Sequence, residues 1–103
     1  MVERHALPMR RATETFEVAF GGLKESHVVS VGYYENGGIG ELFVTGGKSG
    51  EMIQAIARDA AILMSLALQH GVPVGVLKHA VTRDGQDQPQ SIIGAVIDHL
   101  PGE

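Results

Sequence analysis

Cysteine is absent from the 103 residues, and that gap removes a large block of chemistry. No disulfide, thiolate zinc site, thiol nucleophile or thiol radical can be built from this chain. Basic residues are also few: eight Lys and Arg against twelve Asp and Glu give a net charge of −4. Nucleic-acid affinity comes mostly from cations that neutralise phosphates, so a broad DNA or RNA face is excluded. Arg4, Arg10 and Arg11 near the N-terminus still leave room for a local anion site. No secretory core opens the sequence, and the apolar run Ala60–Met64 is flanked by Arg58, Asp59, Ser65 and Gln69. The expectation is a cytoplasmic chain with no membrane span.

What is present is globular in composition, 44% hydrophobic and 19% charged. A chain of this length forms one domain. It buries on the order of 60 to 65% of its unfolded surface, which leaves no space for a deep private cavity. Function must use the surface, a shallow cleft or a subunit interface.

Thr13–Phe20 alternates Phe16, Val18 and Phe20 with polar or small residues, the period of a half-buried strand. His27–Tyr34 is a second strand, rich in valine and tyrosine. Asn36-Gly37 then supplies residues that tolerate positive φ in a tight hairpin, and Ile39–Thr45 is the returning strand. From Gly50 the period changes to three and four through Ile53, Ile56, Ala60, Leu63 and Ala67, which predicts a helix over Glu51–Gln69. Its polar residues Gln54, Arg58, Ser65 and Gln69 form one narrow stripe, so the helix is expected to be buried on most sides. Pro73 suits the start of a short helix through Val81, Thr82–Gln90 reads as a polar loop, and Ser91 precedes a last amphipathic helix ended by Pro101.

Strands first and helices second predict an α+β fold: a three-stranded antiparallel meander followed by three helices packed on one face, with a long central helix. Residues 1–12 form an N-terminal arm and 13–100 a single domain. Apolar helix surface beyond what the sheet covers, together with an open sheet edge, predicts a homodimer.

Few residues offer chemistry. Gly47-Lys48-Ser49 matches the end of a phosphate-binding loop, but the first glycine of that motif would fall at Leu42, inside a strand of an antiparallel hairpin. One reading makes Gly46 and Gly47 a turn, with Ser49 as the helix cap. The other lets the helix N-terminus and Lys48 hold an anion. The five histidines, His5, His27, His70, His79 and His99, show no metal-ligand spacing and read as helix caps or solvent-facing groups, so no metal is predicted.

Three ordered blocks carry a resemblance. Leu7, Pro8 and Arg11 match a Leu-Pro-x-x-Arg start, and Gly40, Glu41, Leu42 and Phe43 a Gly-Glu-hydrophobic-Phe block. Lys48 and Gly50 match Lys-x-Gly, and Ser65 to Pro73 a Ser-Leu-x-Leu-Gln-x-Gly-Val-Pro run. Over about Leu7 to Leu77 the sequence resembles the TSCPD domain, a module at the C-terminal end of adenosylcobalamin-dependent ribonucleotide reductases that also occurs as short free-standing proteins. It departs where the naming Thr-Ser-Cys-Pro-Asp motif should stand and reads "QDQPQSIIGAVI" instead. The family's reductase chemistry needs a thiyl radical and reducing cysteines, so the resemblance implies no catalysis by this chain alone and no cofactor.

The resulting expectation is a noncatalytic accessory or interaction module, tied by resemblance to deoxynucleotide metabolism and to a reductase partner. The alternative is a small regulator that binds a nucleotide or phosphorylated ligand through Arg10, Arg11, Gly47, Lys48, Ser49 and Gly50. A third reading is a small acid/base enzyme using Glu41 and a histidine.

Overall fold

Alternation of apolar and polar side chains builds the sheet, and the computed structural model describes residues 3–20, 26–46 and 51–102. β1 (Thr13–Val18), β2 (His27–Tyr33) and β3 (Ile39–Thr45) form an antiparallel sheet in the order β1-β2-β3. The pairs Phe16↔Val29↔Val44 and Val31↔Leu42 put one set of side chains on a single face, where the four aliphatic residues are buried and Phe16 partly so. α1 (Glu51–Gln69), α2 (Val74–Ala80) and α3 (Ile92–Asp98) follow. Val96, Ile97 and Leu100 close one continuous core against the strands. The expected α+β order, with a long central helix, is the observed one.

Boundaries agree within two residues, and the differences have local causes. In the hairpin only Gly37 has positive φ, at 87°. Asn36 contributes a side-chain oxygen that accepts from the Gly38 N–H at 2.9 Å. The ladder then slips one residue, with Gly32 opposite Glu41 and Tyr33 opposite Ile39, so Gly40 forms a bulge without a partner. α1 stops where Gly71 turns left-handed at φ 93°. The Val72 N–H then reaches Ala67 O and the Gly71 N–H reaches Leu68 O, both at 3.0 Å.

The orientation of α1 reverses the expectation. β3 is an edge strand whose outward N–H and C=O groups need partners, and the polar stripe of α1 supplies them. Ser65 Oγ accepts from the Leu42 N–H at 2.9 Å and lies 3.1 Å from Leu42 O, while Gln69 Nε2 donates to Gly40 O at 2.9 Å. Gln54 reaches Gly46 O farther along the same edge. Small residues, Ala57 and Ala61, let the helix lie close. The opposite face is consequently bare: Met52, Ile56 and Leu63 are 76%, 62% and 67% exposed. The helix is not buried on most sides, because its hydrogen-bonding side chains occupy the inward face. By length and composition alone Met52–Gln69 is apolar enough to cross a membrane, so the polar interruptions in the sequence do not exclude a span. Its bonds to β3 tie it to the sheet.

The polar Thr82–Gln90 segment is also more ordered than its composition suggests. Arg83 bridges to Pro89, and its guanidinium grips Asp98 through two bonds of 2.6 and 2.9 Å while donating to Lys78 O. Asp84 Oδ1 accepts from the backbone N–H groups of Gln86 and Gln88 at 2.8 and 3.0 Å. The Arg83 hydrogen bonds hold the Asp98 carboxyl below the usual carboxylate range, and the Gln88 and Gln86 amides do the same for Asp84. A lowered folded-state pKa stabilises above the unfolded value near 4 and is lost as pH falls through the folded value. Asp98→Asn should therefore lower stability by about 0.5–1 kcal/mol at pH 7, the pair being partly exposed and screened, and by less near pH 2. Thermal melts of both proteins at the two pH values check this; an equal deficit at both would remove the electrostatic account.

Candidate functional site

Residues 3–12 pack back onto the domain. The His5 N–H donates to Gln69 O at 2.8 Å, Arg4 bonds the Gln69 side chain, and Tyr34 Oη donates to His5 O. Farther on, Arg11 Nε meets Glu41 Oε2 at 2.5 Å, and the same guanidinium donates to Pro8 O. Glu41 belongs to the sheet face opposite the core yet is nearly buried, because it lies directly over Gly32, where a Cβ would collide with its side chain. A Cβ on Gly40 would stand 2.5 Å from Leu7 Cδ2 and 2.7 Å from Tyr34 Cε2. The arm, the β3 bulge and the end of α1 thus form one lock. Beside it, an open groove of about 620 Å³ runs along His5, Pro8, Tyr34, Asn36 and Gln69.

A second place of interest lies at the other end of β3. His27 is 1% exposed and neither imidazole nitrogen has a hydrogen-bond partner. It lines a cleft of about 40 Å³ with Thr45, Gly46, Gln54 and Arg58, beside the start of α1. This buried strand histidine departs from the expectation that every histidine caps a helix or faces solvent. His70 and His99 do follow it, each with Nδ1 at 2.8 Å from the carbonyl four residues back. His27 was findable: strict alternation from Val29 and Val31 puts it on the inward face.

Of the residues singled out as an anion site, Gly47, Lys48, Ser49 and Gly50 lie outside the described residues. Arg10 is exposed on the arm, and Arg11 is engaged by Glu41 and Pro8. Glu41 and Gly46 are five residues apart along β3, roughly 17 Å, so Arg11 and the cleft stand at opposite ends of the strand. Glu41, the candidate acid or base, is an ion-paired carboxylate. Among the described residues no group of three or more His, Asp or Glu side chains could hold a metal ion. The region where the naming motif is missing has structural duties here: Pro89 pairs with Arg83, and Ser91 Oγ caps α3 by accepting from the Gly94 N–H at 3.1 Å.

The arrangement is that of a small α+β module in which Leu7, Arg11, Gly40, Glu41 and Gln69, drawn from three of the sequence blocks, lie in one lock. Residues 3–98 match the TSCPD domain, and the chain belongs to that family. It is 35% identical over 82 residues to a vitamin B12-dependent ribonucleotide reductase of Bradyrhizobium diazoefficiens, covering 80% of this chain and 6% of the reductase. A reductase of the same description from Agrobacterium fabrum is 38% identical over 80 residues, covering 78% and 6%. One from Rhodopirellula baltica is 34% identical over 74 residues, covering 72% and 7%. The chain thus spans only a small fraction of these relatives. No solved structure matches.

Proposed function

We propose that the chain is a noncatalytic accessory module that works by docking to another protein, with a link to deoxynucleotide metabolism through a vitamin B12-dependent reductase. The observation that carries this reading is the outward apolar face of α1, whose inward face is fixed by Ser65 and Gln69. A surface of that kind serves recognition in small proteins. The family blocks support it, since Leu7, Arg11, Gly40, Glu41, Ser65 and Gln69 all hold the fold together. A cytoplasmic setting belongs to the same reading.

The unpartnered His27 beside Arg58 favours a second reading, a regulator that binds a nucleotide or phosphorylated ligand near the start of α1. One calorimetric series tests both. Titration into a B12-dependent reductase whose own TSCPD segment has been deleted should give saturable heat, and the chain alone should form no deoxynucleotide. Absence of heat at hundreds of micromolar sinks the reductase link. Nucleoside di- and triphosphates and deoxynucleotides are then titrated into the chain alone, and silence at millimolar ligand sinks the second reading.

A further inference from the structure

Met52, Ile56, Leu63 and Leu66 are exposed along one side of α1, and with Asp59 they follow the alternating four-three spacing of a helix–helix seam. The row is close to symmetrical about its midpoint. Met52 and Leu66 each stand seven residues from Asp59, and Ile56 and Leu63 stand three and four residues from it. An isologous contact needs a patch that is its own complement when turned through a two-fold axis. A stripe with matching ends and a matching interior meets that requirement when two such helices cross antiparallel.

Turning the helix cannot hide the stripe against the sheet. Rotating α1 to bury Leu63 would pull Ser65 from both Leu42 backbone groups and Gln69 from Gly40, leaving the β3 edge unpaired. With its flanks Ile53 and Ile62 the stripe exposes on the order of 600 Å², the upper end of what monomers leave bare and near the ~800 Å² per partner of a standard interface. We propose that this face is the contact surface of a two-fold dimer in which α1 crosses α1 of a second copy antiparallel, with Asp59 beside the axis. The proposal rests on the interaction-module reading: a second copy takes this face when the chain is alone, and a reductase docking through the same residues competes with it. Each Asp59 carboxylate then approaches its symmetry mate, a polar position that fixes register while weakening the pair.

Sedimentation equilibrium on the full chain, from one to hundreds of micromolar, tests this. The wild type should approach twice 10.9 kDa. Leu63→Glu and Ile56→Glu should each run as monomers with unchanged circular dichroism, since both side chains are already exposed. Asp59→Asn should tighten the dimer about tenfold or more by removing the like-charge approach. A wild type that stays monomeric throughout overturns the proposal. So does a dimer that Leu63→Glu leaves intact, or a monomer that partitions onto phosphatidylcholine vesicles through the same residues. A monomer that still binds the reductase leaves the module reading standing and removes only the dimer; a dimer indifferent to the reductase does the reverse.

Discussion

Gly40→Ala should destabilise the domain by about 1–3 kcal/mol, a drop in melting midpoint on the order of 10 °C for a chain this size. The added methyl would stand 2.5 Å from Leu7 Cδ2 and 2.7 Å from Tyr34 Cε2, closer than carbon atoms tolerate. Both neighbours are anchored, Tyr34 by its bond to His5 O and Leu7 by the arm that Arg4 and Arg11 pin at its two ends. Leu7 Cδ2 is a side-chain end that can turn away, but the Tyr34 ring is tied through its hydroxyl to His5 O, so clearing it shifts the arm or the β3 bulge and disturbs the Gln69 bond to Gly40 O. Leu7→Ala in the same chain makes room, so the double variant should recover part of the loss. Such coupling marks residues in direct contact. Limited proteolysis gives an independent readout, because the arm of Gly40→Ala should be cut faster than that of the wild type. Additive losses with an uncut arm would show that Gly40 matters for the ladder and not for the lock.

Sequence period located the strands and helices of the described residues, since alternation and the three-four repeat are properties of consecutive residues. What it could not supply was the choice of inward face on α1. The helix has two usable stripes, an apolar one through Ile56 and Leu63 and a polar one through Ser65 and Gln69, and burial preference alone selects the first. The free edge of β3 selects the second, because a buried carbonyl or N–H left unpaired costs more than an exposed leucine. Likewise Arg11 and Glu41 were each visible as notable residues, but their contact spans 30 positions and depends on Gly32 leaving space beneath the carboxylate. The order hidden in Thr82–Gln90 has a similar origin, since it depends on Arg83 reaching Asp98 on the next helix.

His27→Leu should raise stability, by about 1–2 kcal/mol and several degrees in melting midpoint. The inward slot of β2 that His27 occupies is otherwise filled by Val29 and Val31, and the cross-strand neighbour is Val18. An imidazole there has two polar atoms removed from water and no hydrogen bond in return, a cost leucine of similar volume would avoid. The adjoining cleft of about 40 Å³ can admit a water, which would recover part of that cost and sets the lower end of the range. A destabilised variant would mean that something in the cleft bonds the ring. Inorganic phosphate then separates the cases: a midpoint that rises with phosphate in the wild type and not in His27→Leu identifies an anion held beside Arg58, and would move the nucleotide reading ahead of the docking module. A phosphate-independent deficit would assign the partner to water and leave His27 as a structural residue of the sheet.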